Sequence, residues 1–174
     1  MTDTSGTEHE RGFPTIQESW VWPDRVERLF REQATGRTLH VCCGESSLGD
    51  VTVDADRDRD PDAMADMFNL PFEAATFDTV IADPPWHGIQ KVGEKHSLFF
   101  ELVRRVKPNG IILWNALTLP SSEQTQLEQT WVRQDFEEGK ASVIGKYRRH
   151  PDQQTLDAAT VAVAADGGAQ QTDG

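Results

Sequence analysis

The sequence predicts one α/β domain, in which helices pack on both sides of a mainly parallel sheet. Three observations lead to this fold class: the chain has 174 residues, short apolar runs alternate with helical patterns and turns, and the apolar runs end in Gly, Asp or Pro. Such a length suffices for one sizeable core, and the alternation is typical of α/β sandwiches. We expect a single domain over residues 13–164, between disordered tails at 1–12 and 165–174.

The elements are predicted in order along the chain. Pro23 opens a helix that ends at Gln33, because Val26, Leu29 and Phe30 share one face. Apolar runs and turn residues predict the remaining elements: strands at 38–43, 51–53 and 77–82, a helical turn at 61–67, a helix at 97–106, a turn at 107–110, a strand at 111–114, and a closing antiparallel pair at 142–148 and 158–164.

The connection between the first two strands is unusually short. Seven residues, Gly44 to Asp50, separate them, whereas a full crossover takes about a dozen residues and is usually helical. The first crossover helix is therefore expected to be shortened or missing.

The composition is strongly acidic. The chain has 29 Asp and Glu against 17 Lys and Arg, a formal net charge of −12. Its cations are 12 Arg but only 5 Lys. A charge this negative argues against unspecific binding to nucleic acid. Small hydrated carboxylates in place of lysine indicate a cytoplasm of very high salt, and the alternative is a merely acidic protein.

Other protein classes are excluded by what the sequence lacks. No run of 18 apolar residues predicts a membrane span, and the acidic N-terminus does not resemble a signal peptide. The adjacent Cys42 and Cys43 suit neither a structural disulfide nor a zinc site, which needs a cluster of Cys and His ligands. We therefore expect a cytoplasmic protein with no metal and no membrane contact.

The charge is distributed unevenly along the chain. Residues 1–86 carry 18 acidic and 7 basic side chains, whereas residues 87–150, the basic segment, carry 10 basic and 7 acidic ones. Each of these cations alone is typical of a solvated surface. As a group, these cations come directly after residue 86 in the sequence, where a candidate binding site ends. Together they form a candidate contact surface for an anionic substrate.

Polar residues follow the successive predicted strands, where an open α/β sheet binds its ligands. Gly44 follows the first strand and lets a ligand approach the backbone closely. Asp54 and Asp56 follow the second strand and can accept hydrogen bonds from ribose hydroxyls. Asp56 also belongs to an acidic run that is typical of solvated surface.

The third strand ends in the tetrapeptide Asp83-Pro84-Pro85-Trp86. The prolines fix the backbone and leave its carbonyls free to accept hydrogen bonds. The Asp83 carboxylate can accept from an amino group, and Trp86 offers a face on which a planar base can stack. The tetrapeptide is either a holder for an exocyclic amine or a rigid turn with a packed Trp. His87, which comes next, is either an aid to proton release or a surface residue.

The order of these features resembles a known family. The segments ADMFNLPFEAATFDTVIADPPW (65–86) and LFFELVRRVKPNGIILWNA (98–116) are similar to class I S-adenosylmethionine-dependent methyltransferases. Asp83 to Trp86 resembles the D-P-P-[YW] motif of the members that methylate amino groups. The resemblance implies a Rossmann-like three-layer sandwich, with a seven-strand-type sheet that includes a C-terminal antiparallel pair. Together with the acidity, it implies a haloarchaeon or its virus as the source.

The resemblance implies S-adenosylmethionine as the cofactor and no metal. The residues that it assigns to cofactor binding lie after the first and second predicted strands, before the third strand, and at the end of the third strand. They are Cys43, Gly44 and Glu45 for the methionine part, Asp54 or else Asp56 for the ribose hydroxyls, Asp66 and Met67 for the adenine, and Asp83.

For the acceptor, the resemblance implies that Asp83 and the Pro84 carbonyl accept from the target amine, while Pro85 keeps the turn rigid and Trp86 stacks on the target base. The reaction would be methyl transfer to adenine N6 in DNA or RNA. Since 174 residues leave no room for a recognition domain, the protein would be either a minimal base methyltransferase or one that acts with a partner subunit.

Two other functions remain open. One is a methyltransferase of another amine or amide acceptor, such as a protein glutamine or a small molecule, because the same motif would hold any planar amide. The other is a non-catalytic scaffold subunit that binds the cofactor. The shortened cofactor loop between the first two strands favours the scaffold. This loop also reads Gly44-Glu45-Ser46 where the family usually has G-x-G.

Overall fold

The computed structural model describes residues 22–85, 92–135 and 140–151, which form one seven-stranded sheet with a helix on each face. The helices are α1 (Asp24–Gln33) and α2 (Val92–Arg105). The strands are β1 (Thr38–Val41), β2 (Val51–Asp54), β3 (Ala63–Met64), β4 (Phe77–Ala82), β5 (Val106–Ala116), β6 (Thr125–Asp135) and β7 (Lys140–Arg149).

The strand order across the sheet is β3-β2-β1-β4-β5-β7-β6. The first five of these strands are parallel, and β7 runs antiparallel to both β5 and β6. This confirms the predicted α/β class with its C-terminal antiparallel pair. The chain leaves β1 toward β2 on one side and returns to β4 on the other. Such a reversal opens a crevice between the carboxyl ends of β1 and β4, where open α/β sheets bind ligands.

The connection from β1 to β2 contains no helix, as its length predicts. The Asp50 side chain accepts from the Thr38 backbone N–H at 2.7 Å, and the Thr38 carbonyl accepts from the Asp50 N–H at 2.9 Å. These two bonds return the chain to the start of β1, so that β2 can pair with it directly. The short loop therefore replaces the crossover helix.

The core has one part on each face of the sheet. On the face that α2 covers, Phe99 packs edge-on against Trp114 and Tyr147, with ring centroids 5.9 and 4.8 Å apart. On the face that α1 covers, Trp22 packs on Phe30 at 4.5 Å. The remaining buried members of this second cluster are Val26, Leu48, Ile81, Ile111, Leu113 and Ile144. Neither helix in the described ranges is long and apolar enough to cross a membrane.

Two local predictions are wrong. The helical turn predicted at 61–67 is instead the two-residue strand β3. The Asp62 carboxylate accepts hydrogen bonds from the backbone N–H and the hydroxyl of Thr52, both at 2.8 Å. These bonds hold the chain beside β2, so that β3 pairs with it. The turn predicted at 107–110 lies within β5 as a bulge, with Asn109 at φ +63°. The strand therefore begins at Val106 and not at Ile111.

The closing pair also differs from the prediction. The outer partner of β7 is β6, a strand for which no element was predicted from the sequence. Most of its side chains are exposed, with Trp131 packed against the core, so β6 lacks the apolar alternation of a half-buried strand. The strand predicted at 158–164 and both predicted tails lie outside the described residues.

Candidate active site

The candidate site lies at the carboxyl ends of four neighbouring strands. Backbone hydrogen bonds hold the segments that follow them side by side. Cys43 N–H donates to the Val53 carbonyl at 3.1 Å, and Ala65 N–H donates to the Asp54 carbonyl at 3.1 Å. Asp83 N–H donates to the Val41 carbonyl at 3.3 Å. The sheet thus brings together the three loops that the sequence assigned to one site.

Cys42, the first residue after β1, lies at the centre of these loops. Its Sγ is 3.6 Å from Met67 Sδ, and its backbone has φ +58°. Burial raises the pKa of its thiol well above the usual range, and the charges of Asp54, Asp83 and Asp66 raise it further. The thiol is therefore neutral, and the three carboxylates predicted for cofactor and acceptor surround it.

Asp54 joins the first loop to the second. Its two carboxylate oxygens accept from the N–H groups of Gly44 and Asp56, each at 3.0 Å. Gly44 has φ +55°, a conformation that glycine adopts without strain. Asp54 is half-buried, whereas Asp56 is exposed and accepts from Asp58 N–H at 3.0 Å while pairing with Arg59 at 3.3 Å. Of the two acids, Asp54 is the one at the ligand-binding edge.

The other residues predicted for the cofactor lie around this centre. Cys43 has a buried side chain, and its carbonyl accepts from Ser46 N–H at 3.0 Å. Glu45 is exposed and pairs with Arg59 at 2.7 Å. Asp66 is exposed, with one oxygen accepting from Phe68 N–H at 2.9 Å. Met67 is half-buried against the core.

Asp83, which follows β4 directly, has a donor on each carboxylate oxygen. The Trp22 indole N–H donates to Oδ2, and Asn115 Nδ2 donates to Oδ1 at 2.9 Å. Burial raises the pKa of Asp83 to about 6, against the lowering effects of Trp22, the Arg133 charge and Asn115. Asp83 is therefore a carboxylate at neutral pH whose proton affinity is close to the working range of a general base.

The two prolines hold Asp83 in place. A residue before proline is restricted to extended backbone, which suits the end of a strand. Pro84 is buried and Pro85 half-buried. Within the described ranges, no backbone N–H group donates a hydrogen bond to the Pro84 carbonyl. Trp86 and His87 lie outside the described residues.

Trp22 covers Asp83 from the α1 side and was not predicted as a site residue. It is 7% exposed and stacks on His40, with ring centroids 4.8 Å apart. His40 Nδ1 donates to the Leu48 carbonyl at 3.1 Å. Burial lowers the pKa of His40 to about 4, so it is a neutral platform above that pH.

The cations of the basic segment divide between the two edges of the sheet. Lys95 donates to Thr118 Oγ1 at 3.1 Å, beside the end of β5, and Arg133 acts on Asp83. Five others lie near the start of β5, at the opposite edge, where each bonds to a carboxylate or a backbone carbonyl: Arg104, Arg105, Lys107, Arg148 and Arg149. Among the described residues of the basic segment, the expected contact surface beside the site therefore consists of Lys95 and Arg133.

Removing the indole N–H should shift the pH dependence of any reaction that needs the Asp83 carboxylate. In Trp22→Phe the stabilising hydrogen bond is lost, so the pKa of Asp83 should rise above its value of about 6. We expect the acidic limb of the rate–pH profile to move up by about one pH unit. The measurement is the rate, between about pH 5 and 9, of the methyl transfer that the resemblance implies. His40 and Cys42 do not interfere, because their pKa values lie on either side of this range.

Trp131→Phe is the matched control for this shift. Trp131 packs against the same core cluster as Trp22 and is not a hydrogen-bond partner of Asp83 in the described residues. Its profile should coincide with that of the wild type. An acidic limb that stays in place in Trp22→Phe would mean that Asp83 is not the group whose ionisation limits the rate.

No cluster of three or more His, Cys, Asp or Glu side chains within the described ranges has the geometry to hold a metal ion. The carboxylates at the site accept hydrogen bonds from protein N–H groups.

Solved structures share this fold, although no protein-family model and no curated protein matches the sequence. N-methyltransferase NodS from Bradyrhizobium japonicum WM9 has a TM-score of 0.57 at 11% identity, over 74% of this chain and 93% of NodS. A SAM-dependent methyltransferase from Methanosarcina mazei has a TM-score of 0.57 at 9% identity, over 71% of this chain and 98% of its own.

TrmN from Thermus thermophilus has a TM-score of 0.56 at 18% identity, over 77% of this chain and 51% of TrmN. NodS has also been solved in complex with S-adenosyl-L-homocysteine. At these identities the likeness establishes the fold. The chain has the α/β fold of S-adenosylmethionine-dependent methyltransferases.

Proposed function

We propose that this protein is an S-adenosylmethionine-dependent methyltransferase whose acceptor is an exocyclic amine, adenine N6 in DNA or RNA. One observation carries the proposal: backbone hydrogen bonds hold the segments that carry Asp54, Asp66 and Asp83 side by side at the carboxyl ends of the strands, and all three charges act on the Cys42 thiol. These are the acids that the resemblance assigns to ribose, adenine and target amine. Their convergence from three loops supports a common ligand.

The first two loops fit the cofactor. Gly44 has no side chain to keep a ligand away from the loop, although its own N–H is bonded to Asp54. Each Asp54 oxygen keeps one lone pair for a ribose hydroxyl beside its internal bond. The two sulfur atoms of Cys42 and Met67 form a polarisable, uncharged surface between them. Bound S-adenosylmethionine would supply a methyl group already activated on a sulfonium.

The third loop fits the acceptor amine. Trp22 and Asn115 each take one lone pair of Asp83, which leaves one on each oxygen for an amine N–H. The Pro84 carbonyl provides a further acceptor on the rigid turn. Bonds from the amine to these groups would orient its nitrogen for in-line attack. A carboxylate with a pKa of about 6 can then take up the proton that the product releases.

The charge distribution favours recognition at short range. Five of the eight Lys and Arg side chains that the structure describes in the basic segment lie at the end of the strands opposite the site, which weakens long-range attraction of a polyanion. Stacking and hydrogen bonds would carry the binding, and they persist at high salt, where the Debye length is about 3 Å. A base in a duplex would have to be flipped out to reach Asp83.

A second candidate is a scaffold that binds the cofactor and supports a catalytic partner subunit. The loop from Cys42 to Asp50, which has no helix, favours it, because the loop offers little surface to the cofactor. The pair between Glu45 and Arg59 also engages a side chain predicted for the methionine part. The two candidates differ in whether labelled methyl reaches DNA, RNA or protein when the protein acts alone.

Calorimetry with S-adenosylmethionine in molar salt tests the cofactor site. Asp54→Ala should weaken binding by about 10- to 100-fold, because two hydrogen bonds to the ribose are lost. Asp56→Ala is the matched control, an acid two positions away whose partners are Asp58 and Arg59. It should leave the affinity unchanged.

Equal effects of the two variants, or no binding by the wild type, would contradict the cofactor assignment. Cofactor binding together with methyl transfer to protein glutamine, and none to nucleic acid, would mean that the acceptor is an amide and not a nucleobase. Binding with no transfer to any fraction would favour the scaffold.

A further inference from the structure

Three of the four buried side-chain atoms that lack a hydrogen-bond partner in the described part of the chain belong to Asn115, Arg133 and Ser142. They are Asn115 Oδ1, Arg133 Nε and Ser142 Oγ. Asn115 is 0% exposed and Ser142 is 3% exposed. Buried polar atoms without partners are destabilising and rare. A group of them at one place therefore indicates a ligand that supplies the missing bonds.

Strand register places the three residues on one face of the sheet. Asn115 lies opposite Ile144, and Ile144 lies opposite Trp131. Arg133 and Ser142 lie opposite each other, two positions further along the same strands. Since side chains two apart on a strand share a face, all five point to the side of α1, where Ile144 and Trp131 pack on the core.

Asn115, Arg133 and Ser142 form a row of polar side chains on this face, and Asp83 lies in the same row. It follows Ala82, which pairs with Trp114, so it comes level with Asn115 and receives the Nδ2 bond at 2.9 Å. Arg133 is near enough for its charge to act on Asp83, although burial has the larger effect on that carboxyl. The acceptor end of the site is therefore bordered by Asn115 on β5 and Arg133 on β6.

The chemistry of the row is directional. An ionised Asp83 only accepts, so Asn115 must turn its Nδ2 toward it and its Oδ1 away. The carbonyl oxygen of Asn115 is an acceptor, which suits an amino group and repels an oxo group. The Arg133 guanidinium only donates, and the Ser142 hydroxyl can also donate. An acceptor beside donors is complementary to a planar amidine edge, in which one ring carbon carries an amino group and is bonded to a ring nitrogen.

We propose that Arg133, supported by Ser142, donates a hydrogen bond to the ring nitrogen next to the methylated amine, and that Asn115 selects an amino group over an oxo group at that position. This rests on the proposed function and names the residues that would choose an amino-bearing base. The chemical class of the acceptor is then a nucleobase with an amidine edge.

Binding of adenosine analogues tests this proposal without requiring turnover. Calorimetry would be run with S-adenosylhomocysteine present, comparing adenosine, 1-deazaadenosine, 7-deazaadenosine and inosine. The wild type should bind adenosine about tenfold more tightly than 1-deazaadenosine, which lacks the ring nitrogen bonded to the amino-bearing carbon, because one hydrogen bond is lost. 7-Deazaadenosine keeps that nitrogen and should bind like adenosine. Inosine, which carries an oxo group, should bind at least as weakly as 1-deazaadenosine.

Arg133→Met and Arg104→Met form a matched pair. Met preserves an apolar side chain of similar length, which suits the partly buried position of Arg133. Arg133→Met should lose about tenfold in adenosine affinity and lose the preference over 1-deazaadenosine. Arg104 lies at the opposite edge of the sheet and is exposed, so Arg104→Met should behave as the wild type.

Two results would overturn the proposal: no preference of the wild type for adenosine over 1-deazaadenosine, or a preference over 1-deazaadenosine that survives in Arg133→Met. The absence of any adenosine binding would overturn it as well, whatever the fate of the cofactor assignment. Discrimination that depends on Arg133, without transfer of labelled methyl to a single-stranded oligonucleotide, would support this subsite and overturn the proposed activity instead.

Discussion

Replacing Asp83 by Ala is expected to reduce methyl transfer by about 100- to 1,000-fold, because the site loses both the acceptor that orients the amine and the base that takes its proton. S-adenosylmethionine affinity should change far less, since the ribose and adenine acids are on other loops. The measurement is transfer of labelled methyl to host DNA and RNA, with cofactor binding measured by calorimetry on the same preparation.

The effect of Asp83→Ala on stability is separate from its effect on the reaction. Burial gives Asp83 a folded-state pKa of about 6, above its ordinary value of 3.8. The folded protein therefore binds the proton more tightly than the unfolded chain, and this contribution to stability is present at low pH and lost as the pH rises through about 6. Above that pH Ala removes a carboxylate whose burial is unfavourable, but it also leaves the buried N–H donors of Trp22 and Asn115 without their acceptor. The thermal midpoint of Asp83→Ala is therefore measured beside its rate.

Asp58→Ala controls for the removal of one negative charge. Asp58 is exposed on the 3-10 turn after β2 and should leave the rate unchanged. A parallel loss of cofactor affinity and rate in Asp83→Ala would mean that Asp83 holds the cofactor and not the acceptor. Full activity of Asp83→Ala on every nucleic acid would remove the proposed function.

The fold was predictable where each residue's local pattern agrees with its burial. The strand Phe77–Ala82 was predicted with its observed bounds, because five of its six residues are buried and prolines end it. The helix α1 was predicted to within a residue for similar reasons. The edge strand β6 was missed because Thr125–Asp135 exposes most of its side chains. Its place depends on pairing with β7, which no local pattern records.

The candidate site was predictable only in part. Asp83 stands out because an acid before two prolines is unusual at a strand end. Trp22 and Asn115, which bond to it, are 61 and 32 positions away in the sequence. Trp22 belongs to no motif, and Asn115 lies in the segment 98–116 but has no role assigned by the resemblance. Cys42 could have been found as the first residue after β1, the position nearest the crevice. Its neighbour Cys43 was chosen instead, because the sequence does not show which of the two faces Met67.

Glu101→Ala should destabilise the protein by about 3–5 kcal/mol, because it leaves the Arg105 guanidinium buried without its carboxylate. The side chains of Glu101 and Arg105 are 5% and 6% exposed. Glu101 also accepts from Leu70 N–H at 3.0 Å, and Arg105 donates to the Phe72 carbonyl. The pair thus ties α2 to the loop that carries Asp66. Urea unfolding and the thermal midpoint, which should fall by about 10 °C, measure the loss.

Glu27→Ala is the matched control, since Glu27 forms the same pair with Arg31 four residues later on α1. Those side chains are 34% and 66% exposed, so solvent screens the pair and its loss should be below about 1 kcal/mol. Because Glu101 fixes the loop of Asp66 and Met67, its variant should also weaken S-adenosylmethionine binding at temperatures where it remains folded. Equal destabilisation by the two variants would show that Arg105 finds another partner or reaches solvent. An unchanged cofactor affinity in folded Glu101→Ala would show that the loop keeps its position without this ion pair.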